Sequence, residues 1–129
     1  MNKTEVKHPL KSADTGAYSA GVISNGFIFV SGQGPLDLNT GEVVDGTIEE
    51  QTALTLSHIK LILEQAGATL QDIVKCTVHL SDINDFDRYN AVYASFFHGV
   101  LPARTTVQSV LWGGIKVEID AIAALPAKQ

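Results

Sequence analysis

An arginine near a predicted strand start is the first candidate for chemistry in this sequence. Arg104 lies in the run Pro102-Ala103-Arg104-Thr105-Thr106, two residues after a proline that fixes the backbone angle φ. A planar guanidinium there could bind a carboxylate through two charge-assisted hydrogen bonds, worth about 1.5 to 3 kcal/mol. The alternative is a solvated arginine in a surface salt bridge, which the spacing alone favours.

Two acidic residues occupy one face of a later segment. Glu118 and Asp120 alternate with apolar residues in Val117-Glu118-Ile119-Asp120-Ala121, as in a strand. A carboxylate in this position could orient or activate water, which is the work of a general base. The alternative is an acid that simply faces solvent, and the spacing does not decide between the two carboxylates.

A glycine-containing loop is the third candidate. Ser31-Gly32-Gln33-Gly34 follows an apolar run and looks superficially like a phosphate loop, but Pro35 stands where a helix would have to begin. We interpret it as a tight loop whose backbone N–H groups and Ser31 hydroxyl could line a pocket. A purely structural turn is the alternative.

Metal and thiol chemistry are not indicated. The four histidines, His8, His58, His79 and His98, lack the paired spacing that a metal site needs. Cys76 is predicted on the apolar side of a strand, where a cysteine is a small core residue rather than a nucleophile. Three further residues, Tyr18, Asn90 and Tyr93, are ambiguous between core and site.

Several short strands are predicted in the part of the chain up to Leu80. Tyr18–Ile23 and Phe27–Val30 are separated by Ser24-Asn25-Gly26, and Asn-Gly supplies the positive φ angles of a tight hairpin turn. Glu42–Val44 is a further short strand candidate. A half-buried strand is expected from Val74 to Leu80, with Val74, Cys76, Val78 and Leu80 on its apolar face.

Two helices are predicted. Thr47-Ile48-Glu49-Glu50 has the form of a capping box, and apolar residues then recur at helical spacing until Gly67. A second helix is expected from about Asn84 to Phe97, with Gly99 as its stop. Its apolar stripe is formed by Phe86, Tyr89, Val92 or Tyr93, and Phe96.

The last two strands are predicted to form a C-terminal hairpin. Thr105–Val110 and Lys116–Ala123 are joined across Trp112-Gly113-Gly114. Two helices cannot cover both faces of a sheet of about six strands, and Ile122 and Ala124 indicate that the open face is not fully polar. Burial of that face against other copies predicts a closed oligomer.

Composition narrows the classes of function. A chain of 129 residues is the size of one domain, and we treat residues 1–129 as a single unit. With 14 acidic residues against 9 basic ones, the chain is not expected to bind nucleic acid or an anionic membrane. Because one cysteine, no signal-like segment and no apolar run of about 20 residues are present, we expect a cytoplasmic protein.

Several motifs, each weak alone, form a specific combination over almost the whole chain. They are Gly16-Ala17-Tyr18-Ser19, Val30-Ser31-Gly32-Gln33, Glu50-Gln51, Asn90-Ala91-Val92-Tyr93, Phe96-Phe97, Pro102-Ala103-Arg104-Thr105 and Val117-Glu118-Ile119. In this order they resemble the RidA/YjgF family. The resemblance implies a chorismate-mutase-like α+β domain, with two helices on one face of a mixed six-stranded sheet, assembled as a homotrimer with pockets at the subunit interfaces.

The resemblance also implies an activity. Members with this arginine convert 2-aminoacrylate and related 2-imino acids to 2-keto acids and ammonia without a cofactor. By position, Arg104 resembles the family's carboxylate-binding arginine and Glu118 the acid that positions water. Tyr18, Ser31, Gly32, Asn90 and Thr106 fall where the pocket is lined.

Two departures concern the choice of substrate. Thr106 stands where many deaminating members have Cys or Ser, and Leu111-Trp112-Gly113-Gly114 replaces the commoner Leu-Pro-type turn. Other functions remain open: a pocket that only senses a keto acid or amino acid, a deaminase of ring-cleavage products such as aminomuconate, and a ribonuclease, which the acidic charge disfavours.

Overall fold

The computed structural model describes residues 2–127. Its strands are β1 (Thr4–Val6), β2 (Gly21–Ser24), β3 (Phe27–Gln33), β4 (Ile73–Leu80), β5 (Ala103–Gln108) and β6 (Val117–Ala124), and its α-helices are α1 (Ile48–Gln65) and α2 (Phe86–Ser95). The six strands form one mixed sheet in the order β1-β2-β3-β6-β4-β5. β4 and β5 are parallel, and every other neighbouring pair is antiparallel. The predicted α+β class is confirmed.

The first hairpin forms as predicted. Asn25 and Gly26 both have positive φ, 52° and 79°, which is the geometry that an Asn-Gly hairpin turn requires. β2 begins at Gly21 rather than at Tyr18. Of the candidate strand Glu42–Val44, only an isolated bridge between Leu36 and Val43 is formed.

Helix α1 is fixed at both ends by the residues that predicted it. The Thr47 hydroxyl accepts from the Glu50 N–H at 3.1 Å, and the Glu50 carboxylate accepts from the Thr47 N–H at 2.9 Å. Past the other end, Gly67 has φ of 80°, the left-handed conformation that ends many helices.

Helix α2 is shorter than predicted because its first turn is a 3₁₀ helix, Ile83–Asp85. Tyr89 and Tyr93 are buried on α2, and Phe97 after its end is buried as well. Phe86 and Phe96 are only half-buried at the edge of the core. α1 and α2 pack against each other, and the apolar side of the sheet lies beneath them.

The predicted C-terminal hairpin is wrong. β5 pairs in parallel with the edge of β4, whereas β6 pairs with β3 and β4 and lies between them. The turn at Trp112–Gly114 therefore starts a crossover and does not join neighbouring strands. The physical reason is burial: Val117 and Ile119 of β6 are fully buried, which requires a central place in the sheet, whereas no residue of β5 is fully buried.

The predicted inward position of Val74 is also wrong. A register shift between Ile73 and Lys75 interrupts the pairing of β4 with β6. Ile73 consequently takes the core position, and Val74 is 46% exposed. The rest of the alternation holds, since Cys76, Val78 and Leu80 are fully buried.

The face of the sheet away from the helices remains uncovered in the single chain. Phe27 and Phe29 of β3 are exposed there, and Ile122 and Ala124 of β6 lie beside them and are half-buried. This agrees with the prediction that the open face is not fully polar. No helix within residues 2–127 is long and apolar enough to cross a bilayer.

Two buried histidines connect the N-terminal segment to the helix layer. The Leu10 N–H donates to His8 Nδ1 at 3.0 Å, so His8 carries its proton on Nε2 and donates it to His58 Nδ1, also at 3.0 Å. His58 Nε2 in turn donates to the Leu36 carbonyl at 2.8 Å. Each ring is thus satisfied as neutral imidazole, and a second proton on His8 would face the Leu10 donor.

This pair predicts a loss of stability in mild acid. Burial, His58 and Lys11 lower the pKa of His8 from 6.5 to about 4, and burial also lowers the pKa of His58. Because the unfolded chain takes up these protons at a higher pH than the folded chain, the free energy of unfolding falls as pH drops from about 6.5 to 4. His8 alone accounts for about 3 kcal/mol of that fall.

Thermal unfolding measured between pH 7 and pH 4 checks this expectation. The variant His8→Gln, which cannot titrate, should show a shallower decline of Tm than the parent protein. His98→Gln, at an exposed histidine outside the pair, is the matched control. Equal pH dependence in His8→Gln and the parent would contradict the prediction.

Candidate active site

A cleft of about 280 Å³ opens where β3 and β6 meet the loop before β6. It brings together four of the predicted site residues, Tyr18, Ser31, Gly32 and Glu118. Five further residues complete its lining: Thr15, Gly34, Leu36, Trp112 and Ile115. Its polar side is therefore built from β3 and β6, and its apolar side from the neighbouring loops.

A bulge in β3 shapes the polar side. The pairing of β3 with β6 shifts register between Val30 and Gln33, which frees Ser31 and Gly32 from the regular ladder. The Ser31 hydroxyl donates to the Ser19 carbonyl at 2.6 Å, and its N–H donates to the Ala20 carbonyl at 2.9 Å. No helix follows this loop, so it is not a phosphate loop.

Gly32 allows the carboxylate of Glu118 to lie directly on the backbone of β3. A Cβ atom built at Gly32 would stand 3.0 Å from both Cδ and Oε2 of Glu118, close enough that the carboxylate would have to move by a few tenths of an ångström. Glu118 is half-buried and leans towards the cleft rather than into open solvent. The glycine thus sets the position of the acid.

Gly32→Ala should separate activity from stability. The backbone of Gly32 does not have a positive φ, so alanine is tolerated there, but its methyl group displaces the Glu118 carboxylate. We expect Tm to change little and the activity of the cleft to fall about tenfold or more, as for other small misplacements of catalytic groups. Gly46→Ala is the matched control: Gly46 has no positive φ, lies outside the cleft, and its added Cβ would also stand beside a carboxylate, 3.1 Å from Glu50 Oε1. Equal activity in Gly32→Ala and the parent would overturn the prediction.

Tyr18 forms the rim of the cleft and is 47% exposed. Its hydroxyl shares a hydrogen bond with the Thr15 hydroxyl, and the Lys11 ammonium lies 4.7 Å from its ring centroid. The ring is therefore held in place although it is open to solvent.

Arg104 occupies a different environment, between β5 and α2. Its Nη1 donates to Asn90 Oδ1 at 2.7 Å. Its guanidinium carbon lies 4.7 Å from the ring centroid of Tyr93 and 5.5 Å from those of Phe86 and Tyr89, within the range of cation–π attraction. No Asp or Glu forms a salt bridge with it in the part of the chain that the structure describes. The guanidinium is oriented, and its charge is unpaired there.

Other predicted residues surround this arginine. The Thr106 hydroxyl shares a hydrogen bond of 2.9 Å with the Tyr89 hydroxyl, next to Arg104. Cys76 is completely buried, and burial raises the pKa of its thiol, as expected of a core residue rather than a nucleophile. Burial also raises the pKa of the Tyr93 phenol well above its usual value, so the phenol stays neutral.

Arg104 and Glu118 do not meet within one chain. In the sheet, Arg104 pairs with Cys76 and Glu118 with His79, so the two are two strands and three residue steps apart, about 14 Å between Cα atoms. Arg104 packs against α2 on the helix side, whereas Glu118 alternates with buried residues and points to the open side. The chain thus holds two half-sites on opposite faces of the sheet.

Sequence reasoning missed part of both half-sites. Thr15, Leu36 and Ile115 were not predicted to line the cleft, because loop residues carry no periodic signal. The stacking of Phe86 and Tyr89 on Arg104 was also missed, although both had been placed on the stripe of α2. The stripe lies over the arginine because β5 pairs with β4. The predicted hairpin of β5 with β6 gave no indication of this contact.

The fold and the two half-sites define a small α+β protein with an oriented, unpaired cation on one face of its sheet and a carboxylate-lined cleft on the other. Residues 10–125 match the sequence profile of the Endoribonuclease L-PSP family. The chain belongs to this family, which is the RidA/YjgF family.

Individual relatives cover most of the chain. A RutC family protein of Pyrococcus abyssi is 49% identical over 84% of this chain and 86% of its own length. The 2-iminobutanoate/2-iminopropanoate deaminase of the rat is 42% identical over 86% and 82%. The crystal structure of E. coli TdcF with bound serine superimposes with a TM-score of 0.87, at 35% identity over 95% and 99% of the two chains.

Proposed function

We propose that this protein hydrolyses reactive 2-imino acids, and the enamines such as 2-aminoacrylate that tautomerise to them, giving 2-keto acids and ammonia. Rodent relatives that are 41% to 42% identical are named for this activity. Its key residues are proposed to be Arg104 and Glu118.

The main support for the proposal is that the Arg104 guanidinium is held in a fixed orientation and has no acidic partner among residues 2–127. Asn90 and three aromatic rings orient it. A half-buried, unpaired guanidinium is a ready-made partner for a ligand carboxylate. TdcF binds serine, an amino acid with such a carboxylate, which supports a carboxylate ligand here.

The chemistry asks little of the protein beyond placement. Water adds its oxygen to the electrophilic imine carbon, while Glu118 accepts one proton from that water and passes it to the nitrogen. The carbinolamine so formed then collapses: its hydroxyl gives up a proton as the C=O bond forms, and the leaving nitrogen takes up that proton as the C–N bond breaks, which releases ammonia. Holding the carboxylate and the water in reacting positions supplies most of the acceleration. No cofactor takes part in these steps.

Arg104 and Glu118 serve the same substrate only if they come from different copies. They lie on opposite faces of one sheet, and the uncovered face carries exposed Phe27 and Phe29. A closed homotrimer would bury those rings and bring the arginine side of one copy to the cleft of the next. The pocket would then be shared between neighbours.

Mixed oligomers test the shared pocket directly. Arg104→Ala and Glu118→Gln chains, each strongly impaired alone at substrate concentrations below the parental KM, are unfolded together, refolded and assayed under those conditions. If the pocket is shared, about one quarter of the sites in an equal mixture receive both intact residues, and activity returns in that proportion. Inactive mixed oligomers would show that both residues must act within one chain.

The activity itself is tested by generating 2-aminoacrylate with a PLP-dependent dehydratase and following its disappearance and the release of ammonia. We expect the protein to accelerate both. Binding of pyruvate or 2-ketobutyrate without faster ammonia release would favour a small-molecule sensor instead. The shared chemistry of the two candidates is carboxylate binding at Arg104, so turnover is the measurement that separates them.

A further inference from the structure

The cleft that holds Glu118 is polar at one end and apolar at the other. Ser31, Gly32 and Glu118 form the polar end. The apolar end lies beside Gly34, two residues further along the chain from Gly32, where a Cβ would stand 3.2 Å from Ile115. It is formed by Leu36, Ile115 and Trp112, of which Leu36 and Ile115 are buried in a small second core. A ligand whose reacting group sits at Glu118 therefore directs its remaining atoms towards this apolar end.

Trp112 is the largest group at the apolar end, and its indole is 59% exposed. The backbone beneath it is fixed by a tight turn, in which Gly113 and Gly114 have φ of 67° and 76° and the Ile115 N–H donates to the Trp112 carbonyl at 3.3 Å. A Cβ at Gly113 would stand 3.2 Å from Val43. The turn thus holds the indole at the cleft on a fixed backbone. The apolar surface of the indole is left open to a ligand.

Tyr18 supplies a second aromatic group at the same opening. Because its hydroxyl is engaged by Thr15 and its ring is flanked by Lys11, the phenol is held over the cleft. Two aromatic side chains with open surface at one opening favour a flat or bulky apolar group between them.

We infer that Trp112 selects substrates with a large apolar side chain, aromatic or branched, over those with a methyl or ethyl group. This rests on the proposed function and assigns its substrate class. The cleft, about 280 Å³, is close to the lower end of about 300 Å³ for cavities that enclose drug-sized molecules. A methyl group at the polar end would leave the indole unburied, whereas an isobutyl or benzyl group reaches it and removes its surface from water.

Turnover of matched imines tests the inference. An amino-acid oxidase generates the 2-imino acids from L-phenylalanine, L-leucine and L-2-aminobutyrate in separate reactions, and hydrolysis is followed in competition with trapping by semicarbazide. We expect kcat/KM to be at least about tenfold higher for the two large substrates, the size of discrimination that apolar pockets achieve. Trp112→Ala should remove that advantage with little effect on the ethyl substrate, and Trp112→Phe should restore most of it.

Val110→Ala is the matched control, since Val110 lies on the same loop, is fully exposed and does not line the cleft. It should behave as the parent protein does. An equal loss for all three substrates in Trp112→Ala, or no preference in the parent, would overturn the inference.

Binding provides a readout that does not depend on turnover. Trp112 is the only tryptophan of the chain, so its fluorescence reports on the cleft directly. Titration with 4-methyl-2-oxopentanoate should change its emission at about tenfold lower concentration than titration with pyruvate. If this preference holds without hydrolysis of any imine, the proposed function fails and the inferred ligand class stands. If imines are hydrolysed but the two keto acids bind equally well, the proposed function stands and the inferred ligand class fails.

Discussion

Arg104→Ala is expected to lower kcat/KM for imine hydrolysis by about 10-fold to 150-fold, mainly through a higher KM. A bidentate, charge-assisted bond to a carboxylate is worth about 1.5 to 3 kcal/mol, and its loss weakens the substrate and the transition state alike. Arg104→Lys should recover little of this loss, because an ammonium group keeps the charge but not the planar pair of donors that Asn90 now orients.

The control for Arg104 is Arg88→Ala. Arg88 lies on α2, and its guanidinium is exposed and paired with Glu49 at 2.7 Å on α1, away from the cleft. Because this ion pair is exposed, its removal should change stability little and leave the kinetics unchanged. Because Arg104 also stacks on three rings, Tm of each variant is measured together with its kinetics. A folded Arg104→Ala protein with parental kcat/KM would falsify the proposed role.

Glu118→Gln should lower kcat by about 100-fold to 10,000-fold, the range that general acid–base groups contribute, with a smaller change in KM. Glutamine has the shape of glutamate and fits against Gly32, so the cleft keeps its form while the proton acceptor is lost. Single-turnover measurement of ammonia release separates this defect in chemistry from any defect in binding.

Asp120→Asn is the matched control for Glu118. Asp120 lies on the same face of β6, two residues further along, but does not line the cleft. We expect its activity to stay near that of the parent. If Asp120→Asn loses most of its activity and Glu118→Gln loses little, the base is Asp120 and our assignment of Glu118 is wrong.

Local signals predicted much of this fold. The capping box at Thr47 and the Asn25-Gly26 turn each depend on a few neighbouring residues, and both have the predicted geometry. The open sheet face followed from counting two helices against about six strands. In each case the physical cause lies within a short stretch of chain.

Pairing between distant strands was not predictable in the same way. Alternation identifies β5 and β6 as strands, but it does not say which partners they take, and adjacency in sequence wrongly suggested a hairpin. The inward position of Val74 failed for a similar reason, because the register shift beside it depends on how β4 pairs with β6.

The motifs identified candidate site residues, but they did not predict where these residues lie relative to one another. The motifs named Arg104, Glu118, Ser31 and Gly32, whereas their separation into two half-sites depends on the sheet order and on which face each side chain occupies. The apolar end of the cleft was missed because Leu36 and Ile115 lie in loops. Only Trp112 had been singled out, as an unusual residue for its turn.

The central place of β6 determines when the molecule can fold. Before β6 is made, the chain holds two separate pieces of sheet, β1-β2-β3 and β4-β5, with no strand to join them. During synthesis, at about 5 to 20 residues per second, the edges of β3 and β4 that β6 will join stay unpaired until β6 has been made. The complete sheet therefore cannot form without β6, and the unpaired edges of β3 and β4 are where aggregation or capture by a chaperone would begin.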